Sequence, residues 1–366
     1  MSESTKINWY RCKVDREVMR ELMKKSDAKA FAQVIPALLL YAATATLAYL
    51  AFLNVNSDNW PWAVPLVLLA LFVHGTFARF HGGIACHELT HKTPFKTQWI
   101  NTLVLRIFAF IGLFDHVGFR ASHIRHHQST VHQDHDGEVV LPQGLDWHGI
   151  RFILKQLIID PVRVGNLMLF WVAAARGRTD RDGFFPSTWL TTVIPESNTK
   201  LRREYQNWGR IVLFGHLALA AIFIATGNWF LIIVITFGCQ ICGWYEALCG
   251  IPQHIGLCPN VNDFRLCCRT YTCSKFTGFH YWNMQYHIEH HMFPAVPFYN
   301  LPKLREVIQA DLPPATHGLW ATWKEILPLQ RRQREDHSYF FVPQVPQMAG
   351  AGEHVSDQTL LSEASQ

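Results

Sequence analysis

AFAQVIPALLLYAATATLAYLAFLNVNS, residues 30–57, contains no charged side chain. Residues 60–78 and 211–245 are also free of charge, the last broken only by a Gly227-Asn228 turn signal. About 20 consecutive apolar residues cross a bilayer as a helix. The pattern predicts four spans, at about 33–55, 61–80, 209–226 and 229–247, arranged as two hairpins. Any one of them alone could be a buried core helix of a soluble protein, but four in paired order argue for a membrane. The fold class expected is all-α and integral to the membrane.

Composition agrees. Hydrophobic residues make up 49% of the 366 and charged residues only 17%, against about 25% charged in an ordinary soluble domain. The net charge of +5 reads as attraction to a membrane surface. No basic stripe interleaved with aromatics suggests a nucleic-acid partner. The nine cysteines fall mostly in spans or on the side assigned below to the cytoplasm, so reduced thiols are expected. Cys239 and Cys242 form a CxxC inside the fourth span, where apolar packing outweighs redox or zinc chemistry. The polar, basic N-terminus has no apolar core of a cleaved signal peptide.

Lys6, Arg11, Lys13, Arg16, Arg20, Lys24, Lys25 and Lys29 precede the first span, whereas the loops at 54–60 and 227–228 carry no Lys or Arg. The positive-inside rule then puts both termini and the long segment 81–208 in the cytoplasm, at a bacterial inner membrane or the endoplasmic reticulum. Residues 1–29 form a cytoplasmic N-terminal segment, with an amphipathic helix over 13–29 lying on the membrane surface. The membrane domain covers 30–341. Within it, 100–114 and 152–175 read as interfacial or re-entrant helices rather than further spans, and 176–208 as a polar cap. From 342 to 366 the chain is Gln-, Ala-, Ser- and Gly-rich, as in a disordered tail.

Against this frame stand three histidine clusters: His87 and His91 in HELTH, His123, His126 and His127 in HIRHH, and His287, His290 and His291 in HIEHH. With 20 His in 366 residues, a random chain would contain about 0.06 HxxHH matches, and this one has two. Residues three and four apart share a helix face, so each cluster aims its imidazoles together, as a metal site requires. All three lie at or beyond span ends on one side of the membrane. Eight imidazoles are too many for one ion and suit two. An all-histidine dinuclear centre beside an apolar channel fits iron and O2 chemistry better than zinc, which takes four ligands from one local motif.

In order, spacing and placement relative to the spans, the three clusters resemble the histidine boxes of the integral-membrane fatty acid desaturase and hydroxylase superfamily. The likeness covers about residues 30–310 and is closest over HIEHHMFPAVPFYNLPKL, 287–304. It implies four membrane helices under a cytoplasmic helical cap that holds two iron ions, with the eight box histidines as ligands and O2 as co-substrate. It also implies a ninth ligand soon after the last span, and His254 in GIPQH (250–254) fits that place. Gly250 stands where stearoyl-CoA-type desaturases have Asn, and HELTH has one fewer intervening residue than their first box, resembling alkane hydroxylases instead. Metal-bound His usually donates its other N–H to a carboxylate or carbonyl, which makes Glu88, Asp134, Asp136, Asp263 and Glu289 candidates. Arg265 and Arg269 would pair with those acids or meet a polar head group.

The activity implied is O2-dependent oxidation of a C–H bond, foremost desaturation of a fatty-acyl chain or other lipid. Hydroxylation, or desaturation of a non-lipid small metabolite, is the alternative on the same scaffold. No flavin or nicotinamide motif and no HPGG haem signature is present, so electrons would come from an external donor such as ferredoxin or cytochrome b5 with its reductase. A rival from another class is an intramembrane zinc metalloprotease, because HELTH is also HExxH, with Glu88 as base. That reading leaves both HxxHH clusters unexplained.

Overall fold

The computed structural model describes residues 7–139 and 150–346. The expected tail lies outside the described residues from 347 onward, and 342–346 have no regular secondary structure. Among the described residues the only strands are the two-residue pair β1 (Tyr271–Thr272) and β2 (Thr316–His317), which run parallel. Everything else regular is helix or turn, as the apolar periodicity requires.

After the short α1 (Arg16–Leu22), the hairpin of α2 (Asp27–Leu53) and α3 (Trp60–Phe80) forms the first membrane unit. On α2 the small residues Ala30, Ala37, Ala45 and Ala48 face inward, while Leu39 and Leu47 are more than 60% exposed. Small residues between helices and leucines outward is the arrangement lipid favours, since close backbone approach gains packing there and Leu loses nothing by facing apolar tails. α3 does not stop at Phe80. His81–Ala85 form a π-turn and α4 (Cys86–Thr90) continues the rod, so Trp60–Thr90 is 31 residues long. At 1.5 Å per residue that is about 46 Å, against a hydrocarbon core of about 30 Å. The excess carries HELTH past the apolar zone. Gly82 allows the end of α5 (Gln98–Ile111) against the π-turn, since a Cβ on it would lie 3.1 Å from the Gly112 Cα.

α5 and α6 (His116–Ser129) meet at a 111° bend. The carboxylate of Asp115 caps α6 by accepting from the N–H groups of Val117 and Gly118, and so sets the direction of the helix that bears HIRHH. α7 (Ile150–Leu157), α8 (Pro161–Ala175) and α9 (Ser187–Val193) lead to α10 (Thr199–Ala225), whose apolar C-terminal part is the third expected span. Arg16–Leu53, Trp60–Thr90 and Thr199–Ala225 are long and apolar enough to cross a membrane, and the bent α5–α6 pair makes a fourth if counted as one span.

The expected span at 229–247 is helical only in pieces: a π-turn at Ile232–Thr236, a 3-10 turn at Gly238–Gln240, then α11 (Trp244–Gly250). Side chains from neighbouring helices take the backbone groups this break frees, as an apolar surrounding demands. The Val234 carbonyl meets His74 Nε2 at 3.0 Å and the Ile235 carbonyl accepts from Tyr41 at 3.4 Å. His216 bridges the Thr236 hydroxyl and the Phe110 carbonyl. The intramembrane histidines His74 and His216 thus tie helices together, and His81 does the same through the Ala78 and Ala37 carbonyls. At the hairpin tips, Phe52 stacks on Phe230 and Tyr49 bonds to Asn228, so both tips lie at the end away from HELTH.

The remaining elements are short and close over the histidine end: α12 (Phe264–Cys267), α13 (Lys275–His280), α14 (His287–Met292), α15 (Leu301–Ile308) and α16 (Leu319–Glu335). Within the N-terminal segment only Arg16–Leu22 is helical before α2. Residues 9–12 pack on this cap, with Trp9 stacked on Phe264 at 4.1 Å and bonded to the Gln128 carbonyl.

Candidate metal centre

The nine histidines gather into two groups, each with its ligand atoms within 4.8 Å of one another. His87, His91, His123, His127 and His290 form one, and His126, His254, His287 and His291 the other. α4 supplies the first box, α6 the second and α14 the third, so three helix ends converge. Each HxxHH box is divided between the groups, because residues three and four apart point to slightly different sides of a short helix. His254, from the loop after α11, completes the second group, with Nε2 2.9 Å from that of His287.

The hydrogen bonds of the outer ring nitrogens fix which nitrogen is free. His123 Nδ1 lies 2.6 Å from Glu138, His126 Nδ1 2.8 Å from Asp136 and His87 Nδ1 3.1 Å from Glu88. His254 Nδ1 lies 2.9 Å from the Cys267 carbonyl. These acceptors require a proton on Nδ1, which leaves the Nε2 lone pair facing inward. The Thr130 hydroxyl donates to the His126 carbonyl, so it must accept from His291 Nδ1 at 3.1 Å, with the same result. Inside the groups, Nε2 atoms face one another at 2.9–3.2 Å. Two unprotonated nitrogens cannot bond each other, and both nitrogens of buried His290 lack hydrogen-bond partners. Such crowding is costly without a cation between the rings, so the donor set fits two metal ions with imidazole ligands. Burial and the neighbouring rings hold His287, His290 and His291 far below the ordinary value, and burial lowers His254 to about 3. All four are therefore neutral at pH 7, the form that binds metal.

The carboxylates sort differently from expectation. Glu138 takes a place the sequence reading gave to Asp134. It accepts from Ser122 as well as His123 and lines the cavity described below. Asp134 is exposed on the turn after α6. Burial pushes Glu138 up to about 7. Burial also raises Asp136, but His126 and the N–H groups of Val131 and Glu138 outweigh it and hold Asp136 below the usual range. Glu289 accepts from Thr270 and Arg305 rather than from an imidazole. Asp263 pairs with Arg265, whose other arm reaches Asp311 at 2.7 Å, in a buried network that joins the cap to its C-terminal part. Arg269 donates to the carbonyls of Pro252 and Ile255, clamping the loop on either side of His254. Neither arginine meets the imidazoles.

Beside both groups lies a cavity of about 380 Å³. His87, His123, His126, His254 and His287 line it, and Ile84, Phe114, Phe119, Val139, Phe184 and Ile251 make its wall apolar. This open volume touches imidazoles of both groups, so a molecule in it could meet both. HELTH does not form a zincin arrangement. His87 and His91 share their group with three further imidazoles, and Glu88 sits behind His87 and His290 rather than on the cavity wall.

A scaffold of long apolar helices here closes over two all-imidazole groups that could each hold a metal ion. The fatty acid desaturase family model matches residues 59–323, well over half of the chain, and the protein belongs to that family. It is also 25% identical, over 72% of this chain and 72% of the relative, to dihydrorhizobitoxine desaturase from Bradyrhizobium elkanii. The chain is accordingly an oxidoreductase of the desaturase/hydroxylase type.

Proposed function

We propose that this protein is an O2-dependent di-iron desaturase. The division of nine imidazoles into groups of five and four around one apolar cavity carries the reading. His87, His91, His123, His127 and His290 would hold one iron and His126, His254, His287 and His291 the other, and the pair would supply O2-dependent C–H oxidation with electrons from an external ferredoxin or cytochrome b5. The balanced reaction removes two hydrogens from adjacent carbons as a double bond forms. O2 with two protons and two electrons from the donor becomes two waters. Hydroxylation is the alternative outcome of the same hydrogen abstraction.

The chain's own residues supply the setting. Buried Phe114 and Phe119 exclude water from the inner wall, which strengthens every electrostatic contact there. Glu88, Asp136 and Glu138 hold the Nδ1 protons and keep the rings in register. The apolar wall suits the chain of an acyl or other lipid substrate, and the Bradyrhizobium relative, named for dihydrorhizobitoxine, keeps a non-lipid metabolite in view. The Lys and Arg distribution supports a cytoplasmic centre with both termini on that side, where the basic surface would dock an acidic donor.

Metal analysis of the purified protein tests the reading. About two irons per chain are expected, with dehydrogenated product when donor, reductase and O2 are supplied. One zinc per chain would overturn it, and so would full activity and iron content in His126→Ala.

A further inference from the structure

Four side chains other than histidine bring polar atoms to the cavity: Glu138, Glu246, Gln253 and Tyr281. Glu138 is committed to His123 and Ser122, and the Gln253 amide nitrogen donates to the Met284 carbonyl. The Glu246 oxygen Oε1 and the Tyr281 hydroxyl remain. Glu246 Oε2 takes the Arg79 guanidinium at 2.6 Å. Its Oε1 leans over Gly83 so closely that a Cβ there would lie 1.5 Å from it. Glu246 lines the cavity and Arg79 does not, so the carboxylate faces the space with its cation behind. The Tyr281 hydroxyl is fully buried and has no hydrogen-bond partner. It lies 3.5 Å from where a Cβ on Gly250 would sit. Gly250 and Glu246 are four apart on α11 and share a face, so the hydroxyl and the carboxylate line the same wall.

A carboxylate oxygen only accepts, a phenol donates or accepts, and an ammonium offers three donors and no acceptor. A hydrogen-bond donor satisfies both side chains, and a cationic donor, an amine, gains most from the carboxylate. A substrate carboxylate would meet Glu246 as a like charge in a partly desolvated site. We propose that Glu246 and Tyr281 bind the amine of the substrate, so that the enzyme oxidises an apolar chain bearing an amino group. This rests on the reading of the cavity as the substrate site and names the class of substrate. The volume of about 380 Å³ is near the lower end of the roughly 300–1,000 Å³ of small-ligand sites. It holds an amine and the carbons next to it, and a longer chain would leave past exposed Phe184. The amine could therefore come from a small metabolite or from an amino lipid.

Calorimetric titration of the detergent-solubilised full-length holoenzyme tests this with n-hexylamine and hexanoate, with octadecylamine and palmitoyl-CoA as competitors. Hexylamine should bind and hexanoate should not. Glu246→Gln should weaken hexylamine roughly tenfold or more, as expected for a hydrogen bond to a charged group. Tyr281→Phe keeps the ring packing and should weaken it about fivefold, which preserves the test if Glu246→Gln, leaving Arg79 unpaired, fails to fold. Displacement by octadecylamine would assign the site to amino lipids, and its failure to displace would assign it to short amines. Either result supports the proposal. Equal affinity for hexanoate, displacement by palmitoyl-CoA, or unchanged hexylamine affinity in both variants overturns it. Iron is measured in the same samples. Two irons without amine preference sinks the substrate class alone, whereas amine binding without iron sinks the di-iron reading and leaves the amine site standing.

Discussion

The two histidine groups are built by different means. The group of five takes every member from the three boxes, and carboxylates back its rings: Glu88 behind His87 and Glu138 behind His123. The group of four needs His254 from a loop, and a backbone carbonyl, a threonine hydroxyl and one carboxylate back its rings. Helix-borne imidazoles with carboxyl partners are held by many local hydrogen bonds. A loop-borne ligand is held only as well as its clamp, here Arg269. The comparison predicts that metal would be held less firmly at the group of four, which offers fewer imidazoles and a loop-borne one among them.

Four outcomes would break or sharpen that contrast. The largest effect is expected for His291→Ala, which leaves three imidazoles in the smaller group. Iron should fall towards one per chain and activity by more than about 100-fold, beyond what loss of an outer partner costs. Two retained irons would mean the groups are wrongly divided. Asp136→Asn should weaken metal at the same group by about 10–100-fold, read by competition with a chelator, because His126 loses its charged acceptor. His127→Ala removes one of five and leaves four, so roughly a tenfold loss is expected, smaller than for His291→Ala. If it costs more, the larger group is the weaker one.

The smallest effect is on the pH dependence of the metal-free protein. Burial lowers His254, His287, His290 and His291, so the unfolded chain binds more protons than the native one as pH falls through about 6.5. Their contribution is present above that value and lost below it. Glu138, raised to about 7, acts in the opposite sense: its contribution is present below about 4.5 and lost as pH rises. His87, His91, His123 and His127 are lowered in the same way, and these eight groups outnumber Glu138, Glu88 and His126, which are raised, so the melting temperature should drop by several degrees between pH 7.5 and 5.5. A rise would contradict the burial of these rings.

Much of this was legible in the sequence, and the exceptions share a cause. The first three apolar runs read correctly because period and length are local properties. The box histidines come together because helical spacing puts each cluster on one face. The fourth run misled because composition cannot reveal that His74 and Tyr41, far away in sequence, would take its carbonyls and let it break. His254 was reached through resemblance alone, with no cluster to mark it. Glu138 was missed in favour of Asp134 because the turn after α6 decides which carboxylate swings inward. Val131 there adopts φ 61° and Asp136 accepts its N–H, a geometry that residue types do not announce. Asp263 and Arg265 looked like site residues by position, whereas their partner Asp311 lies in the cap 46 residues beyond Arg265.

The π-turn at His81–Ala85 sets the phase of everything that follows it on the Trp60–Thr90 rod. An α-helix advances about 100° per residue, and a π-turn accommodates one extra residue. Upstream of it, the helix is oriented by lipid on one side and α2 on the other. Downstream, it is oriented by the group of five imidazoles that His87 and His91 join. The extra residue lets one continuous rod meet both demands, like a key whose bit is cut at an angle to its bow. Shortening 81–85 by a single residue would restore uninterrupted α-helix and swing His87 and His91 by about 100°. The span would stay intact, and the larger histidine group would lose two of its five members at once.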